Sequence, residues 1–235
     1  MAFHRARFAA ALIGLLICRA GHSQSADVVA QVQFTHAEKQ KTAHVQSSGV
    51  VVWLNSTSDD PPASAKPGRF RLAQKDKSFH PHLLVVPLGS SVDFPNLDPF
   101  FHNVFSQFNG KRFDLGLYEE GSNKTVRFDH EGVSYIFCNI HPEMSAVVIA
   151  LSTPYVDVSS QQGNVELHNV PPGSYTMHVW AEGVDSKQLT ALTRNVRIGS
   201  SQADLGVIQL IENGANNGHK NKYGQDYFPD RETTY

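Results

Sequence analysis

Apolar and polar residues alternate in short runs along most of this chain, and Gly, Pro, Ser and Asn interrupt them roughly every 8 to 12 residues. No stretch keeps a sustained 3.6-residue apolar period, and no solenoid repeat recurs, so the pattern predicts an all-β fold class. Asp27 to Phe34 and Gly49 to Leu54 read as an opening pair of strands. Phe70 to Ala73, His82 to Pro87, Ser91 to Phe94, Val104 to Ser106 and Thr125 to Asp129 follow, with Pro87-Leu88-Gly89-Ser90 and Phe113-Asp114-Leu115-Gly116 as turns. Val133 to Phe137 alternates straight into Cys138, and Met144 to Leu151 is a second strand rich in Val and Ile. Asn164 to His168 and Ser174 to Trp180 flank the turn Asn169-Val170-Pro171-Pro172-Gly173, with Tyr175, Met177 and Val179 on one face. Leu189 to Ile198 and Ala203 to Ile211 supply the last strands.

Composition marks the boundaries. Residues 56–68, with Asp59-Asp60-Pro61-Pro62 and Lys66-Pro67-Gly68, read as a linker, and Thr153-Pro154 closes the unit over residues 69–152. Residues 153–211 form a further β unit, and 212–235, rich in Asn, Gly, Lys and Asp, read as a disordered tail. Residues 1–25 carry Arg5 and Arg7, then an apolar run from Phe8 to Cys18, then Ser23-Gln24-Ser25 as a cleavage site, which is the pattern of a secretory signal peptide. The run is too short to span a bilayer, so the mature chain is expected to have no membrane span. Ile17 stands where a lipoprotein signal prefers a small residue, which disfavours lipidation at Cys18.

The expected signal holds Arg5, Arg7 and Arg19 and no acidic residue, so the rest of the chain carries 17 basic and 22 acidic side chains, net −5. No basic face is suggested, which argues against nucleic acid and anionic membrane as partners. Of the two cysteines only Cys138 remains after cleavage. A lone thiol in an oxidising compartment has no internal disulfide partner and is a liability unless buried or bound to metal.

Cys138-Asn139-Ile140-His141-Pro142-Glu143-Met144 places a thiol, an imidazole and a thioether at positions 1, 4 and 7 of a short loop between two strands, and His102 supplies a second imidazole from another element. That donor set is the one of a mononuclear blue-copper centre. Thiolate suits Cu(I), imidazole suits both oxidation states, and a weak axial thioether disturbs neither. Pro142 stiffens the loop and biases His141 towards extended backbone. Blander readings are a Cys that is a small buried hydrophobe, or a Cys138 nucleophile with His141 as base, which would need an orienting third group. Zinc would be expected to add Cys, His or carboxylate in place of Met. His80 and His82, flanking Pro81, are a weaker candidate for a second Cu(II) site. His36, His44, His130, His168, His178 and His219 show no ligand spacing and read as solvent-facing. Phe100, Phe101 and Phe105 near His102 read as core, with a share in an apolar rim around the metal.

Cys-x-x-His-Pro-x-Met after a strand, with an earlier His102-Asn103, resembles the cupredoxins, plastocyanin, azurin and above all amicyanin. The stretch from Phe94 through Ser106 and then Phe113-Asp114-Leu115-Gly116 is similar to a bacterial exported group labelled methylamine-utilisation-like. The resemblance covers residues 70 to 152 and implies a cupredoxin Greek-key β-sandwich holding one type 1 copper ion. It implies His102, Cys138 and His141 as equatorial ligands, Met144 as axial ligand, and Asn103 as an outer residue that hydrogen-bonds to the Cys138 segment. It implies a periplasmic one-electron carrier for a redox partner protein, and not an enzyme. The Val-Pro-Pro-Gly-x-Tyr turn at Val170 to Tyr175 resembles a smaller transthyretin-like or carboxypeptidase-regulatory-like β-sandwich, whose opening strands would be supplied by residues 27–55. Where that group commonly has a His after the Trp, this chain has Ala181. A copper-binding or delivery module, and a cell-envelope β-sandwich binding module, remain open as other classes.

Overall fold

The structure is a computed structural model and describes residues 25–36, 48–59, 64–107, 110–212 and 220–227. Residues 1–24, which hold nearly all of the expected signal including Cys18, lie outside the described residues, as do His44 and His219. Among the described residues the elements are β1 (Ala26–His36), β2 (Val51–Ser56), β3 (Arg69–Arg71), β4 (Ala73–Lys75), β5 (Ser78–His80), β6 (Leu83–Pro87), β7 (Ser91–Pro95), β8 (His102–Ser106), β9 (Phe113–Tyr118), β10 (Asn123–Arg127), β11 (Gly132–Cys138), β12 (Ser145–Leu151), β13 (Val156–Val158), β14 (Asn164–Val170), β15 (Gly173–Trp180), α1 (Ser186–Leu192), β16 (Arg194–Ile198) and β17 (Ala203–Glu212). The class is all-β.

Strand β12 explains the architecture. It is apolar at nearly every position, and period-2 geometry sends successive side chains to opposite faces. Ala146, Val148 and Ala150 enter one core, shared with Phe94, Phe128 and Ile136. Val147, Ile149 and Leu151 enter another, shared with Val51 of β2 and Trp180 of β15. A strand buried on both faces cannot alternate with polar residues, which is why this one reads as a continuous apolar run. Strand β2 behaves alike, with Val52 and Leu54 turned to a third core that also holds Val28, Tyr175 and Leu210.

Four sheets are therefore stacked with three apolar layers between them. In order they are β14-β1-β17, β13-β2-β15-β16, β6-β12-β11-β8-β9 and β10-β7-β3, and the hairpin β4-β5 is a separate two-stranded sheet that packs Phe79 into the core of the last two. Strand β1 pairs with β14 and β17, and β2 with β13 and β15, so both opening strands join sheets made from residues after 155. The chain leaves one pair of sheets, builds the other from β3 to β12, and returns. Burying a large aliphatic side chain contributes about 1.5–3 kcal/mol, so the layer of Val51, Val147, Ile149, Leu151 and Trp180 is a folding core and not a loose contact. Across the same junction His82 Nε2 lies 2.6 Å from Glu182 Oε2.

Several local elements differ from the sequence expectation. The span Leu189 to Ile198, expected as one strand, begins within helix α1; Asp185 caps it by accepting from the Lys187 N–H at 2.6 Å, and Leu189 and Leu192 pack on the neighbouring core. Phe113-Asp114-Leu115-Gly116, expected as a turn, opens strand β9, with the irregularity confined to a shifted register opposite β8 and to Gly116 at φ +66. Hairpin β4-β5 was not anticipated; it turns at Asp76-Lys77, two residues at φ +54 and +53. The expected tail over 212–235 is ordered at Lys220 to Tyr227, because that segment finds hydrogen-bond partners on the body. The turn at Val170 to Gly173 is tied by the Tyr175 hydroxyl, which donates to the Pro171 carbonyl at 2.8 Å.

Candidate metal centre

Strand β11 sends Ser134, Ile136 and Cys138 to its buried face, so the thiol enters the core lined by Val104, Phe94 and Met144. Strand β8 runs antiparallel beside it with Cys138 opposite Val104, which brings His102, two residues back, to the same end of the sheet. The chain then turns tightly and re-enters as β12. The Cys138 N–H donates to Met144 O at 3.2 Å, and the Met144 N–H to His141 O at 3.1 Å. The Asn139 N–H donates to Asn103 O at 2.9 Å and pins the loop to β8. Six residues between two paired strands have little freedom left, and His141 is carried back over Cys138.

Three donor atoms converge as a result. Cys138 Sγ lies 3.6 Å from His102 Nδ1 and 3.5 Å from His141 Nδ1, and the two Nδ1 atoms are 3.2 Å apart. A triangle with these edges has a circumradius of about 2.0 Å, the length of an ordinary metal–imidazole bond. Its centre therefore suits one ion bound by all three atoms. Met144 is buried in the same core as Cys138, at the position where the loop rejoins the sheet.

The histidine tautomer follows from the partner of His102. Its Nε2 faces Asp98 Oδ2 at 2.9 Å, and Asp98 is buried with both oxygens accepting: Oδ1 from the Asp76 N–H at 2.6 Å, Oδ2 from the Lys77 N–H at 3.1 Å. Burial alone would raise this carboxyl, but the N–H groups of Lys77 and Asp76 and the His102 ring outweigh it and hold the pKa below the ordinary carboxylate range. An ionised carboxylate only accepts, so Nε2 carries the hydrogen and Nδ1 keeps its lone pair, which points at Cys138. The turn at Asp76-Lys77 needs a backbone region that non-glycine residues rarely adopt, and Asp98 holds it there. Asn96 shapes the loop in turn, accepting from the Asp98 N–H at 2.9 Å and donating to Phe100 O at 2.7 Å.

Burial lowers the pKa of both ligand-type histidines, opposed at His102 by Asp98 and reinforced at His141 by positive charge on His102 and Lys77. It raises that of Cys138, against backbone N–H groups of Asn103, Ile140 and His141 aimed at the sulfur. The metal-free site thus holds two neutral imidazoles and a thiol. Phe100 covers the two rings, with its centroid 5.3 Å from His102 and 5.5 Å from His141. Phe105 is core, whereas Phe101 is exposed, as are Leu97, Leu117 and Ile140.

All four expected side chains thus meet at one end of the sheet. Asn103 does hydrogen-bond to the Cys138 segment, through its backbone carbonyl, while its side-chain amide donates to Asp114 Oδ1 at 2.7 Å. Asp98 was missed by sequence reasoning, although a carboxylate four residues before a candidate metal-binding histidine is the partner such a ring ordinarily has. Lys222 and Tyr227, which reach this loop from the C-terminal segment, carry no sequence signal at all. Among the described residues, one other group of three ligand-type side chains occurs, Asp27, Glu166 and His168, all exposed. His80 and His82 belong to neither group; both His82 nitrogens face oxygen, Nε2 that of Glu182 and Nδ1 the Ser145 carbonyl at 3.1 Å. His178 is half-buried and stacks on Trp53.

No protein-family model matches the chain, and no curated protein sequence is similar to it. Solved structures similar to it include a Cu-containing nitrite reductase from Thermus scotoductus SA-01, at 20% identity over 41% of this chain and 25% of that one, with a TM-score of 0.34. The chain thus spans a quarter of that enzyme. A novel purple cupredoxin from Nitrosopumilus maritimus aligns at 25% identity over 34% of this chain and 98% of its own, with a TM-score of 0.31. Amicyanin from Paracoccus versutus aligns at 19% identity over 42% and 97%, with a TM-score of 0.34. Each covers less than half of the chain. Among the described residues no helix is long and apolar enough to cross a membrane.

Proposed function

We propose that this chain is an exported copper protein of the one-electron carrier kind, binding one type 1 copper ion through His102, Cys138 and His141, with Met144 as axial ligand. The observation that carries the reading is the triangle of one sulfur and two Nδ1 atoms, sized for a single ion and buried beside a thioether. A bound copper ion would supply a one-electron change of oxidation state at neutral pH.

The protein's part is to make that change cheap in motion. The tautomer of His102 is set by Asp98, and the Cys138–Met144 loop is tied to β8 and to itself. The donors are therefore in place before an ion arrives, and neither oxidation state has to rebuild them. Phe100 and the core around Cys138 keep water from the sulfur. His141 is only part-buried, and exposed apolar side chains stand near the ligands: Ile140 beside His141 in the loop, Leu97 and Phe101 in the segment leading into β8, and Leu117 on β9 opposite Asn103. A small apolar surface of this kind suits the brief docking of a redox partner protein. The signal-like sequence of residues 1–25 and the Cys138 thiol, buried and the only one among the described residues, support a periplasmic location. The sheets containing β1, β2 and β13 to β17 are read as a smaller transthyretin-like sandwich into which the copper-binding unit is inserted.

The test is an optical spectrum of the copper-loaded, oxidised protein beside that of Cys138→Ala. An intense visible thiolate-to-copper band in the first, lost in the second, is expected. A copper-loaded protein without such a band, or an unchanged band in Cys138→Ala, would overturn the assignment.

A further inference from the structure

The segment Lys220 to Tyr227 is folded on itself and fastened to the Cys138 loop. Asn221 organises it: its side-chain oxygen accepts from the N–H groups of Tyr223 at 2.9 Å and Gln225 at 3.0 Å, and its backbone exchanges bonds with Gln225 and Gly224 at 2.9 Å. Four bonds then reach outward. The Tyr227 hydroxyl donates to the Cys138 carbonyl at 2.8 Å. The Lys222 N–H donates to Asn139 Oδ1 at 2.9 Å, and its ammonium to Asp114 Oδ2 at 2.8 Å. The Gln107 side-chain amide donates to the Lys222 carbonyl.

These anchors are not scattered over the surface. Cys138 and Asn139 begin the ligand loop, and Asp114 uses its other oxygen to hold Asn103, the neighbour of His102. One short segment therefore grips the ligand loop directly, and the strand that carries His102 through Asp114 of β9 and through Gln107, the residue that follows it. The bond at the Cys138 carbonyl matters most, because rotating that peptide would turn the Asn139 N–H away from Asn103 and swing the following residues, His141 included.

We infer that Lys222 and Tyr227 are positioning residues of the metal centre: the C-terminal segment straps the Cys138–Met144 loop onto β8 and holds the thiol and both imidazoles in register. The inference rests on the copper reading for its metal arm only. Neither residue touches the ion; each acts through Cys138, Asn139 or Asp114.

The test compares full-length wild type with Tyr227→Phe, which removes only the hydroxyl, with Lys222→Met, and with Lys222→Arg, which keeps a cation for Asp114. Two rates are read: alkylation of Cys138 by iodoacetamide in the metal-free native protein, and loss of copper from the loaded protein to a chelator. One hydrogen bond of this kind predicts roughly a three- to tenfold increase in both rates for Tyr227→Phe and Lys222→Met, with Lys222→Arg close to wild type. If the tail only stabilised the fold, these substitutions would instead lower the thermal midpoint and leave both native-state rates alone. Rates within twofold of wild type in Tyr227→Phe and Lys222→Met would overturn the inference. If wild type shows no thiolate-to-copper band, the copper reading fails separately, and the alkylation rates still decide whether the strap holds the loop.

Discussion

Replacing Asp98 by Asn tests the logic of the site most directly, since it keeps the shape of the side chain and exchanges one acceptor oxygen for a donor. Three N–H groups converge on the carboxylate, from Asp76, Lys77 and the His102 ring. An amide offers one oxygen. If that oxygen faces Lys77 and His102, the Asp76 N–H meets an NH2 group; in the flipped orientation, two donors lose their acceptor. Leaving a buried donor unsatisfied costs about 1–3 kcal/mol, so Asp98→Asn is expected to lose that much stability in the metal-free protein. The turn at Asp76-Lys77 would loosen, because the carboxylate accepts from both N–H groups that hold these two non-glycine residues at positive φ. His102 would also lose the bond that keeps its hydrogen on Nε2, and disturbing such a partner weakens metal binding about 10- to 100-fold. Urea unfolding of the metal-free protein at pH 7 and a copper competition titration measure the two effects. A stability loss below about 0.5 kcal/mol, together with copper affinity within twofold of wild type, would refute the claim that Asp98 organises the site.

Three further outcomes are expected. Both nitrogens of His82 face acceptors, and the Glu182 carboxylate, with help from Ser145 O, holds its pKa above the ordinary histidine value despite the opposing effect of burial. A raised pKa contributes stability below the unfolded value near 6.5 that is lost as pH rises through the folded value. Glu182→Gln should therefore lower the urea midpoint at pH 6 and matter little at pH 8.5. The pair is half exposed, so the difference is at most about 1 kcal/mol, and a pH-independent difference would exclude it. Trp180→Ala should cost about 3–5 kcal/mol by emptying the layer between β2 and β12, read by denaturant unfolding; a loss under about 1 kcal/mol would mean that this layer is no core. Met144→Leu should keep the visible band and raise the reduction potential, measured by redox titration, because a thioether donor is lost while the three near ligands stay. An unchanged or lowered potential would remove Met144 from the donor set.

The all-β class, the places of most strands, and the meeting of His102, Cys138, His141 and Met144 could be read from the chain alone. The reason is locality. Alternation sets which face a strand buries, and Cys138, His141 and Met144 lie within one loop whose ends are strands, so their convergence needs little else. His102 required only that its strand lie beside Cys138. Signals of short range also went astray: Asp185 and the residues after it start a helix where apolar residues suggested a strand, since a cap and the packing of Leu189 and Leu192 outweighed the pattern. What the tertiary structure alone decided depends on residues far apart in sequence. The continuous apolar run of β12 hinted that both its faces were covered, yet only the stacked sheets say that Val51 and Trp180 do the covering. Asp98 gains its role from a hairpin 21 and 22 residues earlier as much as from His102. Lys222 and Tyr227 sit in a stretch whose composition reads as disordered, because composition measures the apolar surface a segment can bury and is blind to donors that find partners on a surface already built.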